Sequence, residues 1–447
     1  LRTALLVLLL TAAGMGKGYA QTSFMVDNLT YSINYGGTSV TVTGHVDGTS
    51  ATGTLDIPRL VSYNGTSYVV TAIGNYAFSG CYGLTGSLTI PDCVTVIGGS
   101  AFKNCRGFTG NLTIPDGVTS IGNEAFSGCI SLTGNLIIPH SIIIIQSSVF
   151  ANCFGFTGSL IIPNSVTTIK SNAFYHCAGL TDLVIPNSVT AIEGNPFSNC
   201  YDVEFISVDS GNSVYDSRNN CNSIIESSTN SLIIGCKNSI IPNTVTSIGK
   251  GAFSGCHGLL SIDIPNSVTS IGIGAFSHCD CLGQIVVESG NTRYDSREGC
   301  NAIIETSTNT LCVGCKNTTI PNSVTSIGEG AFYMCENLTS LTIPNSVTSI
   351  GRDAFSGCGG LTSITIGNSV TYISSWAFMG CWNLDEVIAL GSEPPTLEGG
   401  YVFNHGEKLI VCCGSKDAYM ASDWASYFDI IEEDCAPHEV TIDEGGM

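Results

Sequence analysis

Charged side chains are scarce in this sequence. Asp, Glu, Lys and Arg make up 11% of the 447 residues, and 36 Asp and Glu outnumber 15 Lys and Arg, which gives a formal net charge of −21. So few cations form no basic patch, and a negative surface repels the phosphates of nucleic acids and anionic lipids. We therefore expect no nucleic-acid partner and no anionic membrane partner.

Long apolar runs and catalytic signatures are also missing. No stretch after residue 20 provides the ~18 consecutive apolar residues that a helix needs to cross a bilayer. The sequence contains no G-x-S-x-G, no Walker loop and no H-E-x-x-H. We expect no membrane span, no enzyme and no cofactor, and we assign no catalytic, cofactor-binding or metal-binding residue.

The first twenty residues have the pattern of an export signal. Arg2 precedes an apolar run from Ala4 to Ala13, and Gly18 and Ala20 offer small residues at the cleavage positions. This pattern predicts a signal peptide over residues 1–20, cleaved after Ala20. No Cys follows at the distance that a lipoprotein anchor needs, so we expect a secreted or cell-surface protein.

The rest of the chain is dominated by an internal repeat marked by a recurring phenylalanine. The spacing is constant through Phe78, Phe102, Phe126, Phe150 and Phe174. It is one residue shorter between Phe174 and Phe197, between Phe253 and Phe276, and between successive members of Phe332, Phe355 and Phe378. The intervals from Phe197 to Phe253 and from Phe276 to Phe332 are equal and more than twice as long, which is one unit plus a long insertion. A period of about 23 to 24 residues is too short for a pair of helices and fits one strand with a return segment.

A clearly written unit is LTSLTIPNSVTSIGRDAFSGCGG, residues 338–360. Leu341 and Ile343 predict a strand, Pro344 a turn, Val347 to Ile350 a second short β segment, and Ala354-Phe355 a single helical turn. No unit can bury its apolar side chains alone, so the units must stack. The sequence therefore predicts a β-rich solenoid: a right-handed leucine-rich-repeat coil with parallel strands, short helical turns, two β-hairpin insertions and a capping module at each end. The extra residue of the longer units is a glycine before the strand, where we expect a turn to absorb it.

The units divide the chain into segments. We expect a signal peptide at 1–20, an N-terminal β cap at 21–83, the repeat solenoid at 84–383, a C-terminal cap at 384–432 and a tail at 433–447. The hairpin insertions fall at about 207–238 and 287–317. Simple pairing outward from each hairpin turn places Cys221 opposite Cys236 and Cys300 opposite Cys315, so each pair is either a cross-strand disulfide or two buried thiols.

The consensus LxxLxIPxSVxxIGxxAFxxC resembles the BspA-like leucine-rich repeats of bacterial surface proteins. The long units, with YDSRxxCNxIIExxTNxLxxGCKN, resemble a variant found in gut and oral anaerobes, and the closing segment resembles the usual end of those proteins, although Cys412 stands where a Pro is expected. The resemblance covers residues 52–432. It implies a leucine-rich-repeat fold, and it implies a role in adhesion or host interaction.

Cysteine and histidine are the residues most suggestive of chemistry. One cysteine column follows the repeat phase, and we expect it to be a column of buried thiols: Cys81, Cys105, Cys129, Cys153, Cys177, Cys200, Cys256, Cys279, Cys335, Cys358 and Cys381. Neither Cys279-Asp280-Cys281 nor Cys412-Cys413 has the spacing or the partner ligands of a metal site. Two of the seven histidines, His176 and His278, precede a column cysteine, but this adjacency at a repeated turn favours a tolerated substitution over a nucleophilic Cys/His pair. The other histidines are His45, His140, His257, His405 and His438.

Two polar patterns leave further alternatives open. The turns VDSGNSVYDSR and VESGNTRYDSR place Asp209, Asn212 and Asp216, and Glu288, Asn291 and Asp295, where they either bind calcium or only shape the turn. A threonine column either orders water, as in ice-binding solenoids, or is a β-favoured surface position: Thr95, Thr119, Thr167, Thr190, Thr246, Thr269, Thr325, Thr348 and Thr371.

The surface of such a solenoid suggests what the chain does. A long uncharged repeat surface with no catalytic constellation predicts a secreted or surface interaction protein that binds host protein or glycan, for example as an adhesin. The alternative is a structural spacer or envelope scaffold without a soluble ligand.

Overall fold

The computed structural model describes residues 23–404 and 406–435. The predicted signal peptide, His405 and His438 lie outside the described residues. The chain is a ladder of strands, and its first strands are β1 (Ser23–Val26), β2 (Leu29–Ile33), β3 (Ser39–His45), β4 (Thr52–Thr54), β5 (Leu60–Tyr63) and β6 (Thr66–Ile73).

These first strands close the N-terminal end of the ladder. Strands β1, β2 and β3 pair antiparallel, as do β5 and β6, while β3 runs parallel to β6. The β5–β6 hairpin turns through Asn64-Gly65, both with positive φ, as a two-residue turn requires. Strand β6 then pairs in parallel with a short strand of the repeat, Val96–Ile97, and β4 pairs in parallel with Gly83–Thr85, so the N-terminal strands cover the open end of the repeat core.

The first half of the repeat contains two series of short strands. They are β7 (Gly83–Thr85), β8 (Val96–Ile97), β9 (Gly110–Asn111), β10 (Ser120–Ile121), β11 (Leu132–Thr133), β12 (Ile144–Ile145), β13 (Thr157–Ile161), β14 (Thr168–Ile169), β15 (Gly179–Ile185), β16 (Ala191–Ile192) and β17 (Phe205–Val208). The odd-numbered strands form the first wall and the even-numbered strands form the second wall. Within each wall, neighbouring strands pair in parallel. The β13–β15 ladder changes register between Gly158 and Ser159, where the longer rung carries its extra glycine.

The two insertions add strands to the second wall. This region contains β18 (Tyr215–Asp216), β19 (Ser223–Glu226), β20 (Ser231–Gly235), β21 (Ser247–Ile248), β22 (Ser261–Ile264), β23 (Ser270–Ile271), β24 (Gln284–Val287), β25 (Tyr294–Asp295), β26 (Ile303–Glu305), β27 (Thr310–Val313) and β28 (Ser326–Ile327). Strands β19 and β20, and β26 and β27, are antiparallel hairpins. The second strand of each hairpin pairs in parallel with the next rung, so the hairpin continues the ladder.

The final strands close the other end. They are β29 (Ser340–Ile343), β30 (Ser349–Ile350), β31 (Ser363–Ile366), β32 (Tyr372–Ile373), β33 (Glu386–Ala389), β34 (Thr396–Leu397), β35 (Gly406–Cys412) and β36 (Phe428–Asp434), with helix α1 (Lys416–Met420) between β35 and β36. The indole N–H of Trp424 donates to the carbonyl of Pro395 (2.9 Å), and the hydroxyl of Tyr419 donates to the carbonyl of Gly391 (3.2 Å). Strand β36 reaches beyond residue 432, and Cys413–Cys435 is a disulfide.

The third side of each rung, here called the turn side, carries the phenylalanine. In one rung, Ala101 N–H donates to Gly98 O and Cys105 N–H donates to Phe102 O, while Phe102 N–H donates to Ala125 O of the next rung at 2.8 Å. This side consists of successive tight turns, not the helical turn expected at Ala354-Phe355, because residues with left-handed φ interrupt a helix there. The predicted β-rich solenoid of parallel strands is confirmed.

The core is filled by equivalent side chains in columns. Leu341, Ile364, Val387 and Leu409 lie in register on successive first-wall strands, and the phenylalanine rings of unbroken runs of rungs stack at 4.8–5.7 Å between centroids. Burial of such side chains is the main favourable contribution to folding.

Removing one ring tests this account. We expect Phe355→Ala to lower the free energy of unfolding by about 3–5 kcal/mol, because the ring is fully buried between Phe332 and Phe378. Urea denaturation followed by circular dichroism measures the change. The control Thr342→Ala, at an exposed first-wall position, should change the value by less than about 0.5 kcal/mol, and equal losses in the two variants would contradict the ring-stacking account.

Candidate functional site

One position on the turn side is left-handed in nearly every rung. Its φ lies between 52° and 70° at Tyr76, Ser100, Glu124, Ser148, Asn172, Gly251, Gly274, Gly330, Asp353, Trp376 and Tyr401. Glycine adopts this conformation freely, whereas other residues bring Cβ too close to a carbonyl oxygen, at roughly 1–2 kcal/mol each. Most side chains at this position reach the surface, although Ser100 is buried, so the composition of this column affects the local shape of the surface.

Three successive rungs carry glycine in this column, and a groove results. Gly251, Gly274 and Gly330 place no side chain there, and an open groove of about 930 Å³ passes over all three. Its sides carry Lys250, Glu329, Arg352 and Asp353, two cationic and two anionic side chains. The groove is therefore close to neutral, on a chain whose net charge is strongly negative.

Aromatic side chains stand at the C-terminal end of the groove. Trp376 is 40% exposed and Tyr401 69% exposed, and both occupy the left-handed column, with φ of 62° and 70°. The Arg352 guanidinium lies 4.2 Å from the centroid of the Trp376 ring. The sequence interpretation did not identify this groove, although aligning the residue two before each phenylalanine would have shown glycine giving way to Trp376.

Bulky residues at left-handed φ are uncommon, and such strain is concentrated at functional sites. A neighbouring side chain holds the Tyr401 backbone in place: the N–H of Tyr401 donates to the Tyr427 hydroxyl at 3.1 Å. We therefore take this groove, with its two strained exposed aromatic residues, as the candidate ligand-binding site.

A second left-handed column lies one residue before the cysteine column and includes His176 and His278. Tyr201 and His257 each follow a column cysteine and lie beside it. His176 contacts Phe154 and Tyr201 with ring centroids 4.5 and 5.0 Å apart, and Tyr201 contacts His257 at 3.9 Å. These contacts bring together side chains from rungs that the first insertion separates in sequence. The sequence interpretation noted His176 and His278 but missed this aromatic row, since the insertion hides the equivalence of Tyr201 and His257.

Carboxylates complete the histidine row. His257 Nδ1 lies 2.9 Å from Asp280 Oδ2, and His278 Nδ1 lies 3.4 Å from Glu336 Oε1. Burial, together with the neighbouring His257 and His278, lowers the pKa of His176. The Cys177 thiol beside His176 in sequence donates to Phe150 O, and burial raises its pKa well above its ordinary value, which opposes the thiolate that a nucleophilic Cys/His pair would need.

The cysteine column is a hydrogen-bonded ladder of thiols. Apart from Cys335, which is half-buried, its members are buried, and none of them is disulfide-bonded. Each typical thiol donates to the phenylalanine carbonyl of the previous rung, as Cys105 does to Phe78 (3.0 Å) and Cys381 does to Phe355 (3.1 Å). Burial raises the pKa of Cys105 to about 12, so the thiol stays protonated and remains a donor.

The hairpin cysteines are free thiols, which is the second of the two alternatives, and the predicted register that placed them opposite each other was wrong. A β-bulge between Ile224 and Ile225 shifts the register, so Ser223 faces Gly235 and the simple outward count no longer brings Cys221 opposite Cys236. The second hairpin has the same bulge between Ile303 and Ile304, which separates Cys300 from Cys315. All four cysteines are buried free thiols.

The disulfide at the C-terminal end lies beside a carboxylate. Residues Cys413 and Cys435 lie with Glu433 at metal-binding distances, but their sulfurs are joined to each other. The two sulfurs are therefore not thiolates that could hold a metal ion.

Internal bonds occupy the oxygen atoms proposed for calcium. The Asn212 amide donates to Pro186 O and Val189 O while its oxygen accepts from Val214 N–H and Tyr215 N–H, and Asn291 repeats most of this pattern. Burial alone would raise the pKa of Asp216, but hydrogen bonds from Arg218 and Ser227 outweigh it and hold the pKa below its usual value. These contacts favour the turn-shaping interpretation.

The threonine hydroxyls are also engaged in hydrogen bonds within the protein. The Thr119 hydroxyl donates to Thr95 O at 3.2 Å, and the Thr348 hydroxyl donates to Thr325 O at 3.1 Å, one rung back in each case. Because the hydroxyl protons are directed to the backbone, this column is better explained as a structural ladder than as a water-ordering array.

An apolar patch interrupts the outer surface of the first wall. Ile137 and Ile161 are 72% and 63% exposed, and Val184 and Phe205 continue the patch on the next two strands. This patch lies on the strand surface where the sequence suggested binding. The groove differs from it in combining aromatic faces with polar groups that can orient a ligand.

Two parallel walls, a turn side and a core of repeated columns define a leucine-rich-repeat solenoid. The model of the BspA-type leucine-rich repeat region matches residues 71–204, 223–298 and 302–405, in 6 copies. These ranges exceed half of the chain, and the protein belongs to this family. The family and the fold are typical of interaction scaffolds.

Two crystal structures illustrate the similarity. A leucine-rich cell surface protein from Faecalibacterium prausnitzii A2-165 is 29% identical, with a TM-score of 0.55, over 83% of this chain and 96% of that chain. The pneumococcal vaccine antigen PcpA, at 18% identity and a TM-score of 0.52, covers 94% of this chain and 100% of its own and supports the fold alone. No curated protein matches the sequence.

Across residues 23–404 and 406–435, the structure contains no helix with the length and apolar character needed to cross a membrane.

The Asp216–Arg218 pair gives a pH-dependent prediction. We expect Arg218→Met to lower the free energy of unfolding by about 1–2 kcal/mol at pH 7, because a half-buried carboxylate loses its charged partner. Because the pKa of Asp216 is depressed in the fold, the pair stabilises the protein above the unfolded pKa of about 3.9, and this stabilisation is lost as the pH falls through the folded pKa. The difference from wild type should therefore stay constant from pH 7 to 5 and shrink below about pH 4.

Urea denaturation at a series of pH values measures this difference. Arg59→Met is the matched control, since the Arg59–Asp92 pair is exposed, and the expected loss is below about 0.5 kcal/mol at every pH. A difference for Arg218→Met that grows on acidification would contradict the assignment.

Proposed function

We propose that this protein is a secreted or cell-surface binding protein that holds an uncharged glycan chain in the groove of the turn side. The observation that carries the proposal is the pair Trp376 and Tyr401, two exposed aromatic residues held at left-handed φ beside a glycine floor. Export is inferred from the signal-like pattern of residues 1–20, and the similar cell surface protein supports it.

The chemistry of the groove suits a sugar. Trp and Tyr combine a large apolar face with a polar edge, and an aromatic face can cover the C–H face of a sugar ring. Sugar hydroxyls both donate and accept hydrogen bonds, and Arg352 and Lys250 supply donors while Asp353 and Glu329 supply acceptors. These four charges cancel in sign, so the groove has no net attraction for a strongly charged ligand.

A structural spacer does not explain these residues. A spacer needs a regular ladder, and glycine in the left-handed column serves this purpose without strain, as at Gly251 and Gly330. Tyr76 has the same left-handed φ outside the groove, so what distinguishes Trp376 and Tyr401 is their place beside an open groove. Trp, Tyr and Arg side chains are the ones most enriched at binding hot spots, which favours a ligand there.

Glycine substitution separates binding from stability. We expect Trp376→Gly and Tyr401→Gly each to weaken glycan binding tenfold or more, because an aromatic anchor typically contributes about 2 kcal/mol. The free energy of unfolding should change by less than about 1 kcal/mol, since relief of left-handed strain offsets the added freedom of the unfolded chain and, for Trp376, the lost Arg352 contact. An array of neutral oligosaccharides identifies the ligand, and isothermal titration calorimetry with the best one measures the change.

Tyr76→Gly is the matched control, because Tyr76 occupies the same left-handed column near the other end of the solenoid, 70% exposed. It should leave glycan affinity unchanged. If no neutral glycan binds the wild-type protein, or if Tyr76→Gly weakens binding as much as Trp376→Gly, the proposal is wrong. Binding only to a host protein, lost in Trp376→Gly, would keep the groove and refute the glycan.

A further inference from the structure

The phenylalanine column is interrupted at both insertions. Rings stack from Phe78 through Phe197, from Phe253 to Phe276 and from Phe332 through Phe403. At each break the hairpin supplies a glycine in place of a ring: a Cβ on Gly235 or Gly314 would lie 2.2 or 2.1 Å from Cε1 of Phe253 or Phe332. Glycine is therefore required there, and the ring on the N-terminal side of the break, Phe197 or Phe276, loses its stacking partner.

The first break is filled by other side chains. The Asn195 amide donates to Gly251 O at 2.9 Å, its oxygen accepts from Phe197 N–H at 3.0 Å, and Ser198 bonds Ser254 across the gap. Ile234 of the hairpin is buried, and the cavity that remains is about 10 Å³.

The second break is open. The position of Asn195 is taken by Gly274, and the hairpin residues Ile233 and Ile234 are replaced by the smaller Cys312 and Val313. A cavity of about 240 Å³ lies here, and Phe276 is 8% exposed, while most rings in the column are fully buried. The same insertion therefore leaves a void in one copy and none in the other, because the side chains differ in volume.

The walls of the cavity are mostly apolar, and their thiols are neutral. Phe276, Phe332, Leu282 and Val313 line it, together with Cys312 and Cys335. Its one charged residue is Glu329, which also lines the groove. Burial raises the pKa of Cys312 and raises the pKa of Cys335 to about 12, so neither thiol offers a charge to a ligand. Cys335 is also the half-buried member of the cysteine column.

The cavity is reached from outside through the groove. Gly274, Gly330, Ser277 and Tyr333 line both the groove and the cavity, so the gap between their two rungs joins them. At the first insertion the Asn195 side chain bridges the corresponding gap to Gly251.

We propose that this cavity is a binding site for a small, uncharged, planar aromatic molecule. An apolar cavity of roughly 150 Å³ is enough to bind benzene, so 240 Å³ has room for a fused two-ring molecule. Aromatic rings attract one another beyond the burial of area, and Phe276 offers a ring that has lost its partner. The apolar part of the wall disfavours an ionised group on the ligand, and Glu329 further disfavours an anion. This site is independent of the proposed glycan function.

Indole is the probe, titrated into the complete purified protein by isothermal titration calorimetry without any glycan. We expect saturable binding at one site with a dissociation constant below about 1 mM. The double substitution Cys312→Ile, Val313→Ile copies the first insertion and should weaken indole binding at least tenfold. The reverse substitution Ile233→Cys, Ile234→Val, in the first hairpin, is the matched control and should not weaken it.

Thiol alkylation tests the proposal even if the Cys312→Ile, Val313→Ile variant, here called the filled variant, does not fold. Saturating indole should slow alkylation of Cys312 and Cys335 in the wild-type protein severalfold, measured by peptide mass mapping, and should not change the alkylation rate of Cys93, a partly exposed thiol far from the cavity in sequence. Absence of indole binding by the folded wild-type protein, undiminished binding by a folded filled variant, or unprotected Cys312 and Cys335 would each overturn the proposal. Because no glycan is present, these outcomes leave the groove hypothesis untouched.

Discussion

The structure depends on one constraint: every rung must superpose on its neighbours. Parallel strand pairing places Ile350 beside Ile373, and Phe355 N–H donates to Ala377 O on the turn side, so successive rungs are tied to one another on several sides. Equivalent residues then meet in columns, and the side chains of each column must pack against or hydrogen-bond to their own neighbours in the adjacent rungs. Phenylalanine stacks on phenylalanine, thiols donate to carbonyls one rung back, and threonine hydroxyls do the same on the second wall.

Features that depart from the repeat follow from local breaks in this constraint. The hairpins interrupt the phenylalanine column at two places and replace a ring by glycine, and the groove arises where a second column is glycine in successive rungs. The groove thus owes its shape to missing side chains, and its proposed binding role rests on two aromatic residues at its end. The regular ladder keeps these residues in strained backbone conformations that an isolated turn could not maintain.

The sequence predicted the architecture because a repeat period can be read from a single sequence. The spacing of Phe78 and Phe102 shows where rungs repeat, and β-branched residues show where strands lie. The pairing of Cys221 with Cys236 was wrong because a β-bulge is set by backbone geometry and leaves no composition signal. The groove was missed because it depends on which left-handed positions lack a side chain, and φ is not visible in a sequence. The histidine row required knowing that Tyr201 and His257 are neighbours across an insertion.

The last strand gives the described solenoid a defined end. Strand β36 pairs on one side with β35, and within residues 23–404 and 406–435 no strand pairs with its other side, while the Cys413–Cys435 disulfide ties its end to the preceding rung. An open parallel edge is a template on which another chain could add its own strand. This strand carries acidic residues that also bind the preceding rung: Glu432 lies 2.9 Å from Lys408 Nζ, and the Glu433 carboxylate accepts from the N–H groups of Gly414 and Lys416. Charged side chains on an edge strand disfavour the addition of another strand, so β36 makes this edge of the described solenoid a poor template for end-to-end stacking.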